Sequence, residues 1–208
     1  MNIKILALIL LAFCAQPAWS ATPAASPTAD SAALTTRLAL RDLWGEHIFW
    51  IRTYAQANQA GDQKQAKVAA DQVVANATQI ANSIAPLYGQ PAADQLLKLL
   101  AGHWGAVKHY SDATVAKDAK GKQAAVTDLT SNAKAIAAFL AKANPNLPEA
   151  TLVNMLAAHG GHHIAQIDEF AAHNYAGEAK TWDMMREHIL ALADALTAAL
   201  VKQFPDKF

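Results

Sequence analysis

LLKLLAGH (Leu96 to His103) and LVNMLAAH (Leu152 to His159) each set a leucine-rich helical stripe before a histidine, 56 residues apart. The same offset carries Asn76-Ala77 onto Asn132-Ala133, Ile80-Ala81 onto Ile136-Ala137, and Ile84-Ala85 onto Leu140-Ala141. Asn and His therefore stand 27 residues apart in both copies. One such match arises easily in an alanine-rich chain. A register held across two helices and their connection marks an internally duplicated helical hairpin.

The rest of the chain fits an all-α architecture. Alanine supplies 49 of 208 residues and β-branched runs are almost absent, a composition that favours helix. Breakers divide the chain into segments at 34–60, 63–86, 91–118, 122–143, 148–173 and 181–203, with Gly61, Gly89, Gly121, Pro145 and Gly177 among the punctuation. Pro148 suits a first helical turn, where its missing N–H does no harm, and Thr181 is placed to cap the last helix. Met185, Ile189, Leu192, Leu196 and Leu200 recur at spacings of three and four, one apolar stripe. Short connectors make the expected fold an up-and-down bundle of about six antiparallel helices. No Gly-rich phosphate loop, nucleophile elbow or HExxH run is present.

Residues 1–20 have the form of a cleavable signal peptide: Lys4, then an apolar run from Ile5 to Phe13, then Ala18-Trp19-Ser20. That run is too short to span a bilayer, which takes ~20 apolar residues. The expected location is periplasmic or secreted, with cleavage after Ser20. Phe13 is too large for a lipoprotein box before Cys14, so no lipid anchor is expected. Residues 21–33 are rich in Ala, Pro, Ser and Thr and fit a tether, leaving 34–208 as one bundle domain.

Cleavage would remove Cys14, the only cysteine, and Lys4, leaving 16 basic against 17 acidic residues. A metal site in the mature chain must then use His, carboxylate, Asn or Met. The balance also gives no basic footprint for nucleic acid and no polybasic membrane surface.

In antiparallel hairpins, residues equidistant from a turn lie side by side. Reflecting His47 through a turn near 61 reaches Asn76; Asn76 through 89 reaches His103; Asn132 through 145–146 reaches His159; His159 through 177 reaches Asp194. An error of two residues displaces a position by ~3 Å. The expected layer is His47, Asn76, His103, Asn132, His159 and Asp194. His163, Gln166 and His188 form a possible second polar layer, and His109, His162 and His173 are peripheral.

Neutral imidazoles converging with a carboxylate make a divalent metal site, with Asn as a weak ligand or as a partner orienting a ring. The expected ligands are His47, His103, His159 and Asp194, with Asn76, Asn132, His163, His188, Glu46 and Arg52 in supporting places. Arg52 has Asp194 or a substrate anion as candidate partners. Glu46-His47-Ile48 recurs as Glu187-His188-Ile189, and Met184 and Met185 beside His188 offer soft donors for copper. The residues do not choose among Zn, Fe and Cu, and an alanine-tight core leaves little room for haem.

Helix 148–173 contains H-x-x-H-H-x-x-Q (His159, His162, His163, Gln166), which resembles the helix signature of DinB-like four-helix bundles. That resemblance implies His159 and His163 as ligands with His103 or His47 as the third. Hemerythrin-type di-iron bundles need H-x-x-x-E and H-x-x-x-x-D; no H-x-x-x-E is present, and Asp194 follows His188 at six residues rather than five. Over most of its length the chain also resembles an uncharacterised bacterial family of exported helical bundles, through LWGEHIFWIR, Pro86-Leu-Tyr-Gly89, Ala193-Asp194 and Gln203-Phe-Pro-x-x-Phe208. A transferase label attached to such sequences finds no nucleotide-sugar site in these residues. That likeness implies His47, His103, His159 and Asp194 at the family's motif positions.

Three readings follow from the residues. One is a core metal-binding protein. A second is a metal-dependent enzyme of unspecified substrate on the same site. A third is a metal-free interaction or ligand-binding scaffold whose His/Asn layer sets helix register.

Overall fold

The computed structural model describes residues 29–208. The expected signal peptide lies outside the described residues, as does most of the expected tether. Helix α1 (Ala29–Gln59) starts inside that stretch, five residues before Leu34. The remaining helices are α2 (Gln63–Ser83), the single turn α3 (Ala85–Tyr88), α4 (Gln90–Val115), α5 (Ala119–Ala143), α6 (Glu149–Ala171) and α7 (Tyr175–Gln203). A 3-10 turn, Pro205–Lys207, follows. The fold is all-α, with no strand among the described residues, and no described helix is long and apolar enough to cross a membrane.

The hairpin found twice in the sequence, Asn first and His second, spans α2–α4 and α5–α6. The structure divides the repeat differently, into a His-bearing helix followed by its outer partner, and contains that unit three times. The pairs α1–α2, α4–α5 and α6–α7 turn in the same way at positions 56 residues apart. Gly61, Lys117 and His173 take left-handed conformations, with φ of 77°, 56° and 54°. The next residues, Asp62, Asp118 and Asn174, donate their backbone N–H to Ala57, Ala113 and Glu169, closing three Schellman turns. Their side chains then cap the following helix, accepting from Gln65 N, Lys120 N and Gly177 N at 3.0, 3.0 and 3.1 Å.

This shared turn corrects two expected boundaries. Gly121 and Gly177 do not break helices; each lies in the first turn of one. Asn174 caps α7, while Thr181 is buried a turn and a half inside it, donating to Glu169 Oε1 at 3.0 Å.

The three hairpins close into a ring. α2 packs between α1 and α4, α5 between α4 and α6, and α7 between α6 and α1, while α1, α4 and α6 touch one another around the centre. Every neighbouring pair in the ring is antiparallel, and the three central helices run in the same direction. Corresponding positions show the pseudo-threefold directly: Tyr54 donates to Asp112 at 2.8 Å, and Tyr110 to Asp168 at 2.9 Å.

Apolar masses lie on both sides of the central layer. Ile51, Val73, Val107, Leu129, Ile167 and Phe170 fill the hairpin-turn end. Leu40, Trp44, Ile80, Leu96, Leu100 and Ile189 belong to the core at the other end. Full burial of each such side chain contributes about 1.5–3 kcal/mol. The polar layer between them is therefore held in place from above and below.

Candidate metal centre

Each central helix delivers one histidine to the axis at the same repeat position: His47 from α1, His103 from α4 and His159 from α6. Their ring centroids form a nearly equilateral triangle with sides of 6.0, 5.7 and 5.4 Å. His163, one turn further along α6, adds a fourth ring 4.5 Å from His159. All four residues are buried, and one ligand nitrogen from each lies within 4.8 Å of the others. His159 Nε2 and His163 Nε2 are 3.1 Å apart.

The outer helices brace this triangle in a repeated way. Asn76 Nδ2 donates to the Leu43 carbonyl at 3.0 Å, and Asn132 Nδ2 to the Leu99 carbonyl at 2.9 Å. Leu43 and Leu99 stand four residues before His47 and His103, so each Asn ties down the turn that presents a ring. Gly102 permits the second of these contacts, since a Cβ there would stand 2.9 Å from Asn132 Nδ2. In the third hairpin the Asn position is His188, and the backbone of Met155, the counterpart of Leu43 and Leu99, pulls its pKa up against the larger effect of burial.

Electrostatics keep the four rings neutral. Burial pushes His47 down to about 3, His103 adds to the shift, and Asn76 opposes it. Burial alone brings His103 to about 4. His159 and His163 lie well below 6.5, by burial first and then by the surrounding imidazoles. Neutral rings carry the lone pairs that coordinate metal.

Most of their nitrogens have no partner; only Nε2 of His159 and of His163 face each other at hydrogen-bond distance. Both nitrogens of His47, Nε2 of His103 and Nδ1 of His159 and of His163 are buried without a hydrogen-bond partner among the described residues. Each unsatisfied buried polar atom costs about 1–3 kcal/mol. A layer that leaves five in one place gives up several kcal/mol of stability unless something binds there. Tetrahedral coordination at ~2.0–2.1 Å needs nitrogens ~3.3 Å apart. The His159–His163 pair is already close to that spacing, and modest ring rotations bring in the other two.

Asp194 does not belong to this site. Its carboxylate is gripped by two guanidiniums, Arg37 at 2.8 and 2.6 Å and Arg41 at 2.7 and 2.6 Å. Both hold it well below the usual carboxylate range. The expectation failed because the α6–α7 turn is centred on residue 173 and not on 177. Reflection of His159 through 173 gives 187, next to His188, and leaves Asp194 about two turns away. Asp194→Asn should therefore retain the full metal stoichiometry with only a small change in Tm, checked by elemental analysis and a thermal melt.

The supporting residues divide as well. His163, expected in a second layer, joins the central group. Gln166 instead donates to Glu178 at 2.9 Å. Arg52 pairs with that same buried Glu178, both contacts at 2.6 Å, and lies over Trp182. It meets neither Asp194 nor the histidines. Glu46 is exposed and only approaches Asn76, at 3.4 Å. Met185 is fully buried core and Met184 is half exposed.

On the face of the triangle away from His163 lies an apolar cavity of about 70 Å³. His47, His103 and His159 border it, with Trp44, Leu100 and Leu156 among the lining side chains, and His163 takes no part. Hydrocarbon walls of this kind stay dry. The centre thus has an imidazole on one side and a small apolar space on the other.

No family model matches this chain, and no curated protein or solved structure is significantly similar to it.

Proposed function

We propose that this protein binds one divalent transition-metal ion in its core through His47, His103, His159 and His163. The observation that carries the reading is the convergence of four neutral, fully buried imidazoles, five of whose nitrogens have no hydrogen-bond partner among the described residues. A set of nitrogen donors without thiolate or carboxylate suits Zn²⁺, Cu²⁺ and Fe²⁺ and disfavours Mg²⁺ and Ca²⁺, which take oxygen ligands. The likeness of the His159/His163 pair to the DinB-like helix signature supports the same reading. The signal-peptide form of residues 1–20 supports a site of action outside the cytoplasm, where the ion would be acquired.

Protein purified from its native compartment should carry about one equivalent of transition metal per chain, measured by elemental analysis. Metal-free protein that gains no thermal stability from Zn²⁺, Cu²⁺ or Fe²⁺ would end this reading.

A second reading rests on the cavity. Metal held by the triangle and His163 has its four tetrahedral positions filled, so a reactant would enter as a fifth ligand from the dry apolar space, which admits a small non-polar molecule and turns away ions. Catalysis on that face would make the metal an activator of the reactant. Filling the space with Leu100→Trp should then abolish turnover while metal content stays at one equivalent.

A further inference from the structure

Around the centre, the third hairpin carries histidine at three positions where the other two have none. Trp50 and Ala106 correspond to His162, Ile51 and Val107 to His163, and Asn76 and Asn132 to His188. His163 is the fourth ring of the centre. The other two are not among its four ligands.

His188 stands at the place of Asn76 and Asn132, and its Nε2 is buried without a partner among the described residues. The His188 ring lies nearly parallel to that of His159, 6.2 Å away, and the His162 ring is 5.6 Å from His188. Exposure rises along this series: His159 is 2% exposed, whereas His188 and His162 are half-buried. Imidazoles therefore run from half-buried positions on α6 and α7 to the edge of the centre.

A divalent ion has poor alternatives. The cavity on the other face is hydrocarbon, where a cation would shed its water with no compensating donor. The three turns that close one end of the ring and the packed core beneath them offer no comparable row of nitrogens.

We propose that His162 and His188 are the loading route of the metal centre, an outer pair that captures a hydrated divalent ion and passes it to His159 and His163. The proposal rests on the metal-binding reading above. It assigns to the third hairpin alone the exchange of ions with solvent.

His188→Asn is the natural test, because asparagine is the residue of the other two hairpins, where it braces the helix that presents the ring. Co²⁺ is the probe, followed by its ligand-field absorption during uptake and during removal by EDTA. Wild-type protein should load one equivalent. His188→Asn should reach the same equivalent with unchanged affinity, but with uptake and release each slowed about tenfold, and His162→Ala should slow both by a smaller factor. Unchanged or faster loading in His188→Asn would overturn the proposal. So would a loss of affinity, which would make His188 a ligand of the centre. Failure of the wild-type protein to take up Co²⁺ would overturn both readings, whereas normal wild-type loading with unaffected variants removes only this one.

Discussion

The His103→Ala/His159→Ala protein should purify with less than about a tenth of an equivalent of metal and show no Tm gain on adding Zn²⁺. In the wild-type protein, an ion that binds only the folded state stabilises it by RT ln(1 + [L]/Kd), about 4 kcal/mol at free metal 1,000 times Kd. For a domain of this size that corresponds to a rise of roughly 8–16 °C in Tm. The double variant keeps two of the four rings, one in the triangle and His163 beside it, too few to hold an ion in a tetrahedral site. Calorimetric scans with and without metal measure both halves of the prediction. A Zn²⁺-dependent rise surviving in the variant would place the ion elsewhere in the molecule.

Acid should unfold the metal-free protein sharply. All four rings have folded pKa values below 6.5, with His47 near 3 and His103 near 4. As pH falls through 6.5 the unfolded chain takes up protons that the folded chain refuses. Stability is therefore greatest above about pH 7 and declines below it, until the folded values are reached. Each lagging ring contributes about 1.4 kcal/mol per pH unit, so four together approach 5–6 kcal/mol per unit. Against a total of about 5–15 kcal/mol for a domain, the transition falls between roughly pH 5.6 and 4. Saturating Zn²⁺ at the level above should move the acid midpoint down by about 0.7 unit. The double variant should show about half the slope. Identical acid midpoints in wild type and variant, by circular dichroism, would mean that the rings titrate freely and are not buried neutral.

The bundle and three of its four central histidines were legible from sequence because they depend on local rules. Alanine and leucine spacing specifies helix, and the 56-residue register of Asn and His carries depth without any knowledge of packing. What escaped had two physical causes. Two of the three hairpin turns put a non-glycine, Lys117 or His173, in the left-handed conformation, while the nearby glycines sit harmlessly in first helical turns. Reading glycine as the break displaced the last turn by four residues and brought Asp194 into a layer that it misses. The third repeat escaped because its distinguishing positions had been replaced. His188-Ile189 stands where the others have Asn-Ala, and His163 stands where they have Ile51 and Val107. Only the shared turn geometry exposes the correspondence.

Joining three hairpins in one polypeptide has a consequence for how such a centre can diversify. In a trimer of identical hairpins every substitution would appear three times, so a ring placed at the position of His163 would bring two more with it. Three extra imidazoles would crowd the axis where Ile51 and Val107 now pack. Covalent linkage releases each copy from its sisters. Two hairpins can remain scaffolding, while the third accumulates residues that would be intolerable in triplicate.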